Sequence, residues 1–503
     1  MSFLRIGLKY RHLQFLIVTL GCVALHTQSA FAQNSRPNII IIFADDLGYG
    51  EIGSYGQKVI RTPNLDILAT QGMRFTDFYS SSALCAPARC QLLTGLHTGH
   101  GAVRANFEMA NGPASFTDEL EKGQMPLPDQ AHTIAEMLKP LGYATACIGK
   151  WGLGMADTEG NPNKQGFDYF YGYLDQKQAH NYYPTHLWEN GKRVELNNKT
   201  LTVHNKISSE QATDEMFNSF IGKEYSVAMM ANKAQQFISD QQDKPFFLYY
   251  ALTLPHLALQ APADDVAFYK GKFEEQPYLG DKGYCPVKYP RSTYAAMITY
   301  LDKKVGEIIN QVDALGQREN TIIIFTSDNG PVYAIGGADP DFFDSNGSLR
   351  DFKGSVYEGG IRIPFIASWP SHIKKASVSS HVAAQYDIKV TLADLLNVSI
   401  PKTDGISFLP ELIGTKQRRH EYLYFELYEY GGQQAVRMGD WKAVKRNMVK
   451  DKMAKWELYN LKSDLSESTN LAEKYPNLIR KVDKFARQSH QHHSTIAAWN
   501  FME

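Results

Sequence analysis

The chain reads as an α/β protein: a large, mostly parallel sheet with helices on both faces, followed by a smaller antiparallel sheet-and-helix subdomain. Three observations predict this. Short apolar runs are continuous rather than alternating, as in strands buried on both faces. Helical patterns lie between those runs. After Pro401 the texture changes to short strand-like segments separated by turns.

Taken in order, the first element is an export signal. Arg5, Lys9 and Arg11 precede the apolar run Leu13–Leu25, and Ala30-Phe31-Ala32 supplies a small-x-small cleavage site. The run of 13 residues falls short of the ~20 that a membrane-spanning helix needs. No later segment approaches that length. Residues 1–32 are therefore expected to be removed, with the mature protein periplasmic or extracellular and without a stable membrane span. Their removal takes three cations and no anion, moving the formal net charge from −1 to −4. A nucleic-acid partner is excluded on that balance, because such binders are usually basic. A composition of 43% hydrophobic and 21% charged residues excludes a disordered chain, and five cysteines are too few for a disulfide framework.

The larger, N-terminal domain is expected over 33–400. Its strands are Asn38–Phe43, Tyr143–Ile148, Phe246–Thr253 and Thr321–Thr326, with helices such as Thr133–Lys139 and Tyr294–Val312 between them. Each strand ends in chemistry-bearing residues: Asp45-Asp46, Gly149-Lys150-Trp151-Gly152, Pro255-His256 and Ser327-Asp328-Asn329-Gly330. Ligands of open α/β sheets sit beyond the carboxyl ends of the strands, so four such endings predict one active edge. The C-terminal subdomain, 401–503, carries strand candidates Glu421–Leu427, Gln434–Met438, Trp441–Val444 and Trp456–Leu461 and a closing helix Pro476–Gln491. His490, His492 and His493 read as part of that helix's solvated face rather than as a metal cluster.

The sharpest local signal is Cys85-Ala86-Pro87-Ala88-Arg89-Cys90-Gln91-Leu92-Leu93-Thr94-Gly95. Proline is well tolerated at a helix start, so Cys85 falls at a helix N-terminus, where the dipole favours an anion. A buried cysteine ahead of a Pro-initiated helix would look the same.

Cys-x-Pro-x-Arg followed by Leu-Leu-Thr-Gly resembles the signature of the type I sulfatases, of the alkaline phosphatase-like superfamily. The resemblance continues in the family's order through Asp45-Asp46, Gly149-Lys150-Trp151, Pro255-His256, Ser327-Asp328-Asn329-Gly330 and Lys353-Gly354…Glu358-Gly359-Gly360. It extends into Gly439-Asp440-Trp441-Lys442 and Glu457-Leu458-Tyr459-Asn460-Leu461, covering nearly the whole mature chain. Ala88 stands where many members have serine. The resemblance implies a large mixed, mostly parallel sheet and a secreted arylsulfatase or carbohydrate sulfatase. It implies that a formylglycine-generating maturation enzyme oxidises Cys85 to formylglycine (3-oxoalanine), whose hydrated diol attacks sulfur, oriented by Arg89. Lys150, His256 and Lys353 are implied partners of the sulfate, with His256 protonating the leaving oxygen.

The residues themselves fit that chemistry. Asp45, Asp46, Asp328 and Asn329 offer hard oxygens suited to one Ca²⁺, to which the modified Cys85 would add a further ligand. Each pair alone could be a helix cap or a turn. Three gathered carboxylates, however, would repel unless a cation joined them. One departure is Gly152, where many sulfatases have a histidine. His180 is a candidate replacement. Phe167–Trp188 holds eight aromatics suited to stacking on sugar rings. Arg104 and Asn106 could reach a substrate hydroxyl or a second anion, as could Arg350 and Arg362. The expected substrate is a sulfated mono-, oligo- or polysaccharide. The alternatives are a phosphate or phosphonate ester hydrolase of the same superfamily, or a carbohydrate-binding protein that has lost catalysis.

Overall fold

The computed structural model describes residues 36–108, 123–493 and 496–500. The expected export signal lies outside them, and no described helix is long and apolar enough to cross a membrane. In chain order the strands are β1 (Asn38–Asp45), β2 (Met73–Phe75), β3 (Phe78–Tyr79), β4 (Ala144–Lys150), β5 (Tyr169–Tyr173), β6 (His186–Glu189), β7 (Lys192–Glu195) and β8 (Phe246–Pro255). They continue with β9 (Thr321–Ser327), β10 (Phe365–Ser368), β11 (Ser377–Ser379), β12 (Ala383–Ala384), β13 (Leu423–Leu427), β14 (Gln433–Met438), β15 (Trp441–Lys445) and β16 (Glu457–Asn460).

Ten strands form one mixed sheet in the order β11-β2-β10-β9-β1-β8-β4-β5-β6-β7, and β13 to β16 form a second sheet. The block β9-β1-β8-β4-β5 is parallel throughout. The large sheet turns antiparallel on one side at β10 and on the other at β6 and β7. The second sheet is antiparallel throughout. This is the expected fold class.

Strand β1 shows why an unbroken apolar run marks the middle of such a sheet. Successive side chains point to opposite faces, and both faces here are covered. Ile39, Ile41 and Phe43 pack with Leu92, Leu93 and Ile388, from helices Cys85–Thr94 and Asp387–Leu395. Ile40 and Ile42 pack with Met230, Ile298 and Val305, from helices Ser226–Asp240 and Pro290–Ala314. Burying each such side chain is worth about 1.5–3 kcal/mol. The helix expected at Thr133–Lys139 is Ile134–Leu138, started by a capping box between Thr133 and Glu136.

Phe408 and Leu412 still pack into the core of the large sheet, and the second sheet begins at Leu423. Its closing helix, Pro476–Ser489, lays Val482, Phe485 and Ala486 against Val436 and Leu458. His490, expected on a solvated face, instead pairs through Nδ1 with Glu426 Oε2 at 2.8 Å.

Candidate active site

The strands β9, β1, β8 and β4 are neighbours in the parallel block, so their carboxyl ends share one edge. Asp45 ends β1 and Lys150 ends β4, while Asp328 and Asn329 follow β9 and His256 follows β8. Asp46 takes a left-handed conformation, φ 64°, and its backbone N–H donates to Asp328 Oδ1 at 2.9 Å. That bond ties the ends of β1 and β9 together.

Cys85 is the first residue of its helix, and it is only 1% exposed. Its Sγ lies 3.5 Å from Asp45 Oδ1 and 3.9 Å from Asp46 Oδ1. The next amide, Ala86 N–H, donates to Asn106 Oδ1 at 2.9 Å, so one of the free helix-end amides is capped by a side chain. One turn further on, Arg89 is fully buried. It donates through Nη1 to the Lys150 carbonyl at 2.6 Å and through Nη2 to Asp328 Oδ2 at 3.0 Å. Asp45 Oδ2 lies 3.5 Å from the same Nη2.

Two lysines complete the cluster. Lys150 Nζ donates to Asp45 Oδ2 at 2.7 Å. Lys353 Nζ lies 2.7 Å from Asp46 Oδ1 and donates to Cys85 Sγ at 3.3 Å. His256 Nε2 is 3.5 Å from Asp46 Oδ2, and its Nδ1 is 2.7 Å from the Leu257 carbonyl. Three carboxylates thus face three fixed cations, Arg89, Lys150 and Lys353, which share with any bound metal the charge needed to hold them together.

Burial governs the titrations. It opposes ionisation of Asp45, but Lys150, His256, Arg89 and Lys353 outweigh it and hold that carboxyl well below the usual range. Asp328 goes the other way: burial and then the neighbouring Asp45 raise it to about 7. Burial followed by Asp328 pushes the Cys85 thiol up. Burial lowers His256 to about 4 against the opposing pull of Asp46. For Lys353 burial disfavours the charge, yet Asp46 and its neighbours raise the ammonium well above its ordinary value.

The donors fit a hard cation. Asp45, Asp46, Cys85 and His256 bring ligand-capable atoms within 4.8 Å of one another. Asn329 adds an acceptor: its Nδ2 donates to Asp46 Oδ1 at 2.7 Å, while its Oδ1 is buried with no partner. Three carboxylates and an orphaned amide oxygen make a set suited to Ca²⁺, and a dication would relieve the raised Asp328.

Other expectations fall out differently. Arg104 does not turn to the cluster. Its Nη1 lies 3.2 Å from Glu426 Oε1 and donates to the Gln491 carbonyl at 2.7 Å, clamping the second sheet and its helix to the large domain. Asn106 caps the Cys85 helix. Arg350 donates to Tyr459 and the Glu467 carbonyl, and Arg362 pairs with Asp77 and Glu358, so both serve the junction between the sheets. His180 does reach the site, stacking on His256 with ring centroids 4.8 Å apart. It does not fill the place left by Gly152, however. A Cβ at Gly152 would lie 2.7 Å from Gln176 Cγ, so Gln176 occupies that space. Gln176 Nε2 donates to Gln124 Oε1 at 2.9 Å and lies 3.4 Å from Asn106 Oδ1, while its Oε1 is buried without a partner. Sequence reasoning also missed Tyr284, which packs against His180 at 5.4 Å, and Glu429, which accepts from the Asn106 backbone at 3.0 Å. No local pattern marks either residue.

Comparison with known proteins adds a lineage. The family described as Sulfatase matches residues 37–398, and the family N-sulphoglucosamine sulphohydrolase, C-terminal, matches residues 350–491. The N-acetylgalactosamine-6-O-sulfatase of Bacteroides thetaiotaomicron is 31% identical, over 90% of this chain and 93% of its own. Arylsulfatase A of Homo sapiens is 34% identical, over 81% of this chain and 74% of its own. Among solved structures, Ps i-CgsB in complex with k-i-k-neocarrahexaose superposes with a TM-score of 0.74 at 28% identity, covering 93% of this chain and 98% of its own.

Proposed function

The chain belongs to the sulfatase family and is a sulfuric ester hydrolase. From that premise we propose that it removes sulfate from carbohydrates outside the cytoplasm, with Cys85 converted to formylglycine by a maturation enzyme and one Ca²⁺ held by Asp45, Asp46, Asp328 and Asn329. The observation that carries this reading is the convergence on Cys85, with Lys353 Nζ at 3.3 Å, Asp45 at 3.5 Å and Asp46 at 3.9 Å. A buried thiol whose ionisation is pushed up is a poor nucleophile, so this position serves hydrolysis only once its chemistry is changed. The carbohydrate assignment draws on the relatives' names and on the ring faces of His180, His256 and Tyr284 gathered beside the charges.

Bound Ca²⁺ would polarise a sulfate oxygen, and formylglycine would supply the nucleophilic oxygen that a thiol lacks. The chain's own residues do the rest. Lys150 and Lys353 offer fixed positive charge where sulfate oxygens gain negative charge in the transition state. Arg89 ties Asp328 to the Lys150 carbonyl, holding two strand ends at a set spacing. A proton on His256 Nδ1 donates to the Leu257 carbonyl, which leaves Nε2 to exchange a proton with the leaving oxygen. Free His256 is neutral near pH 7. A bound sulfate ester places negative charge beside it and raises its proton affinity, so its role as acid belongs to the complex.

The test is a desulfation screen over defined sulfated mono- and oligosaccharides, with an aryl sulfate and an aryl phosphate as references. Mass spectrometry of the Cys85 peptide establishes its state in the same sample. Release of sulfate from a sugar by aldehyde-bearing protein is the expected result. Full activity with an unmodified thiol, or faster cleavage of the phosphate, overturns it.

A further inference from the structure

We propose that the cavity shared by Lys353 and Arg446 is a second anion subsite, taking a sulfate or carboxylate on the sugar next to the one that is desulfated. The inference rests on the carbohydrate reading above and narrows it to polyanionic chains.

The cavity measures about 390 Å³ and is lined by Tyr333, Asp351, Lys353, Ser355, Tyr430 and Arg446, among others. That volume lies within the range of built ligand sites, about 300–1,000 Å³. Lys353 belongs to both places: its ammonium touches Cys85 and Asp46, and its residue forms part of the cavity wall. A ligand seated in the cavity is therefore next door to the sulfate site.

Arg446 is the group that gives the cavity its chemistry. Most guanidiniums in the interior are already paired. Arg89, Arg104, Arg362 and Arg437 have carboxylate oxygens at 3.0, 3.2, 3.1 and 2.8 Å. Arg446 is half-buried, forms no ion pair with any described carboxylate, and lies over the Tyr357 ring at 4.8 Å. Its Nε is buried without a hydrogen-bond partner. A fork of unspent donors in a half-buried setting suits a planar carboxylate or a sulfate. Asp351 also lines the cavity and keeps its charge, its Oδ1 accepting from the Phe352 backbone at 3.1 Å, but no ion pair joins it to Arg446. Lys353 directs its ammonium to Cys85 and Asp46, toward the sulfate site, so Arg446 provides the charge that faces a ligand in the cavity.

The walls suit a sugar. Tyr333 and Tyr430 are 37% and 53% exposed, leaving ring faces at the mouth. Tyr430 sits in the turn between β13 and β14 and lies flush on Gly354, where a Cβ would come 2.8 Å from its ring. Gly354 also has φ +82°, so glycine is needed there on both counts. The second sheet and its turns thus build one wall of a cavity whose other wall comes from Tyr333 and the segment 351–355.

The experiment measures competition against aryl-sulfate hydrolysis. The competitors are matched disaccharides with the same first sulfate and either no second anion, a second sulfate or a carboxylate on the neighbouring sugar. In the wild type the second anion lowers KI about tenfold, and the stronger of the two arms identifies the anion. Arg446→Gln removes the advantage and Arg446→Lys keeps part of it. A second reading needs no variant: raising salt on the wild type shrinks the advantage, because it arises from charge. Equal KI values in the wild type, an undiminished advantage in Arg446→Gln, or an advantage indifferent to salt overturns the subsite alone. If no saccharide competes while the aryl sulfate is hydrolysed, the carbohydrate reading falls and the subsite with it.

Discussion

Installing a histidine at Gly152 tests what now occupies the space beside Lys150. Gly152 sits at φ +75°, and a Cβ there meets Gln176 Cγ at 2.7 Å. Two costs follow. The left-handed conformation costs an L-residue about 1 kcal/mol, and overpacking against Gln176 adds about 1–3 kcal/mol. Gly152→His should therefore lose about 2–4 kcal/mol. Gln176→Ala forfeits the hydrogen bond to Gln124 at 2.9 Å and the weaker approach to Asn106 at 3.4 Å, about 1 kcal/mol net. In the double variant the backbone strain persists while the overpacking disappears. It should be more stable than the sum of the single losses by about 1–3 kcal/mol, well beyond the additivity of unconnected sites. Urea unfolding of the four proteins at fixed Ca²⁺ gives the cycle. Losses that simply add, within about 0.5 kcal/mol, would refute the assignment of that space to Gln176.

Four further outcomes are expected. Lys353→Ala should cut kcat on an aryl sulfate by about 10²–10³, the usual cost of one preorganised donor; a kcat unchanged at saturating substrate removes Lys353 from the sulfate site. Asp328→Ala should abolish tight Ca²⁺ binding in calorimetry, and retention of wild-type affinity contradicts the ligand set. With His256 lowered to about 4 in the free protein, kcat/KM should begin to fall at lower pH than kcat does, and His256→Gln should erase both limbs. Glu51 is raised by burial from 4.5 to about 7, so the folded chain holds a proton that the unfolded chain releases. That stabilisation is complete below about pH 4.5 and is lost as pH rises to 7. Thermal melts of wild type and Glu51→Gln should therefore diverge over this window, the wild type losing up to about 3 kcal/mol relative to the variant, whereas parallel melting curves would contradict the raised value.

What the sequence discloses depends on how local the cause is. The strands β1, β4, β8 and β9 are legible because burial on both faces demands unbroken apolar runs, and their ends are legible because Asp45-Asp46, Lys150, His256 and Asp328-Asn329 follow at once. The flanking strands β2, β10 and β11 have three or four residues each, too few for a period. Arg104 looks like a ligand group in isolation, because its partners Glu426 and Gln491 lie more than 300 positions away. Gln176 is illegible for the same reason: only the folded chain sets it over Gly152. Arg446 carries no motif, and its interest lies in the carboxylate it lacks.

The burial of Cys85 also bears on when the proposed conversion to formylglycine can take place. At 1% exposure the thiol is sealed beneath Asp45, Asp46 and Lys353 once the sheet has closed over it. An enzyme that must reach Sγ, as the proposal requires, therefore has to act while the chain is still open. Under that proposal folding becomes a deadline: chains that close first would be folded yet silent, and adding a maturation enzyme to them afterwards would rescue nothing unless they were first unfolded. The specific activity of a preparation would then record a race between modification and folding, to be improved by slowing the second as much as by hastening the first.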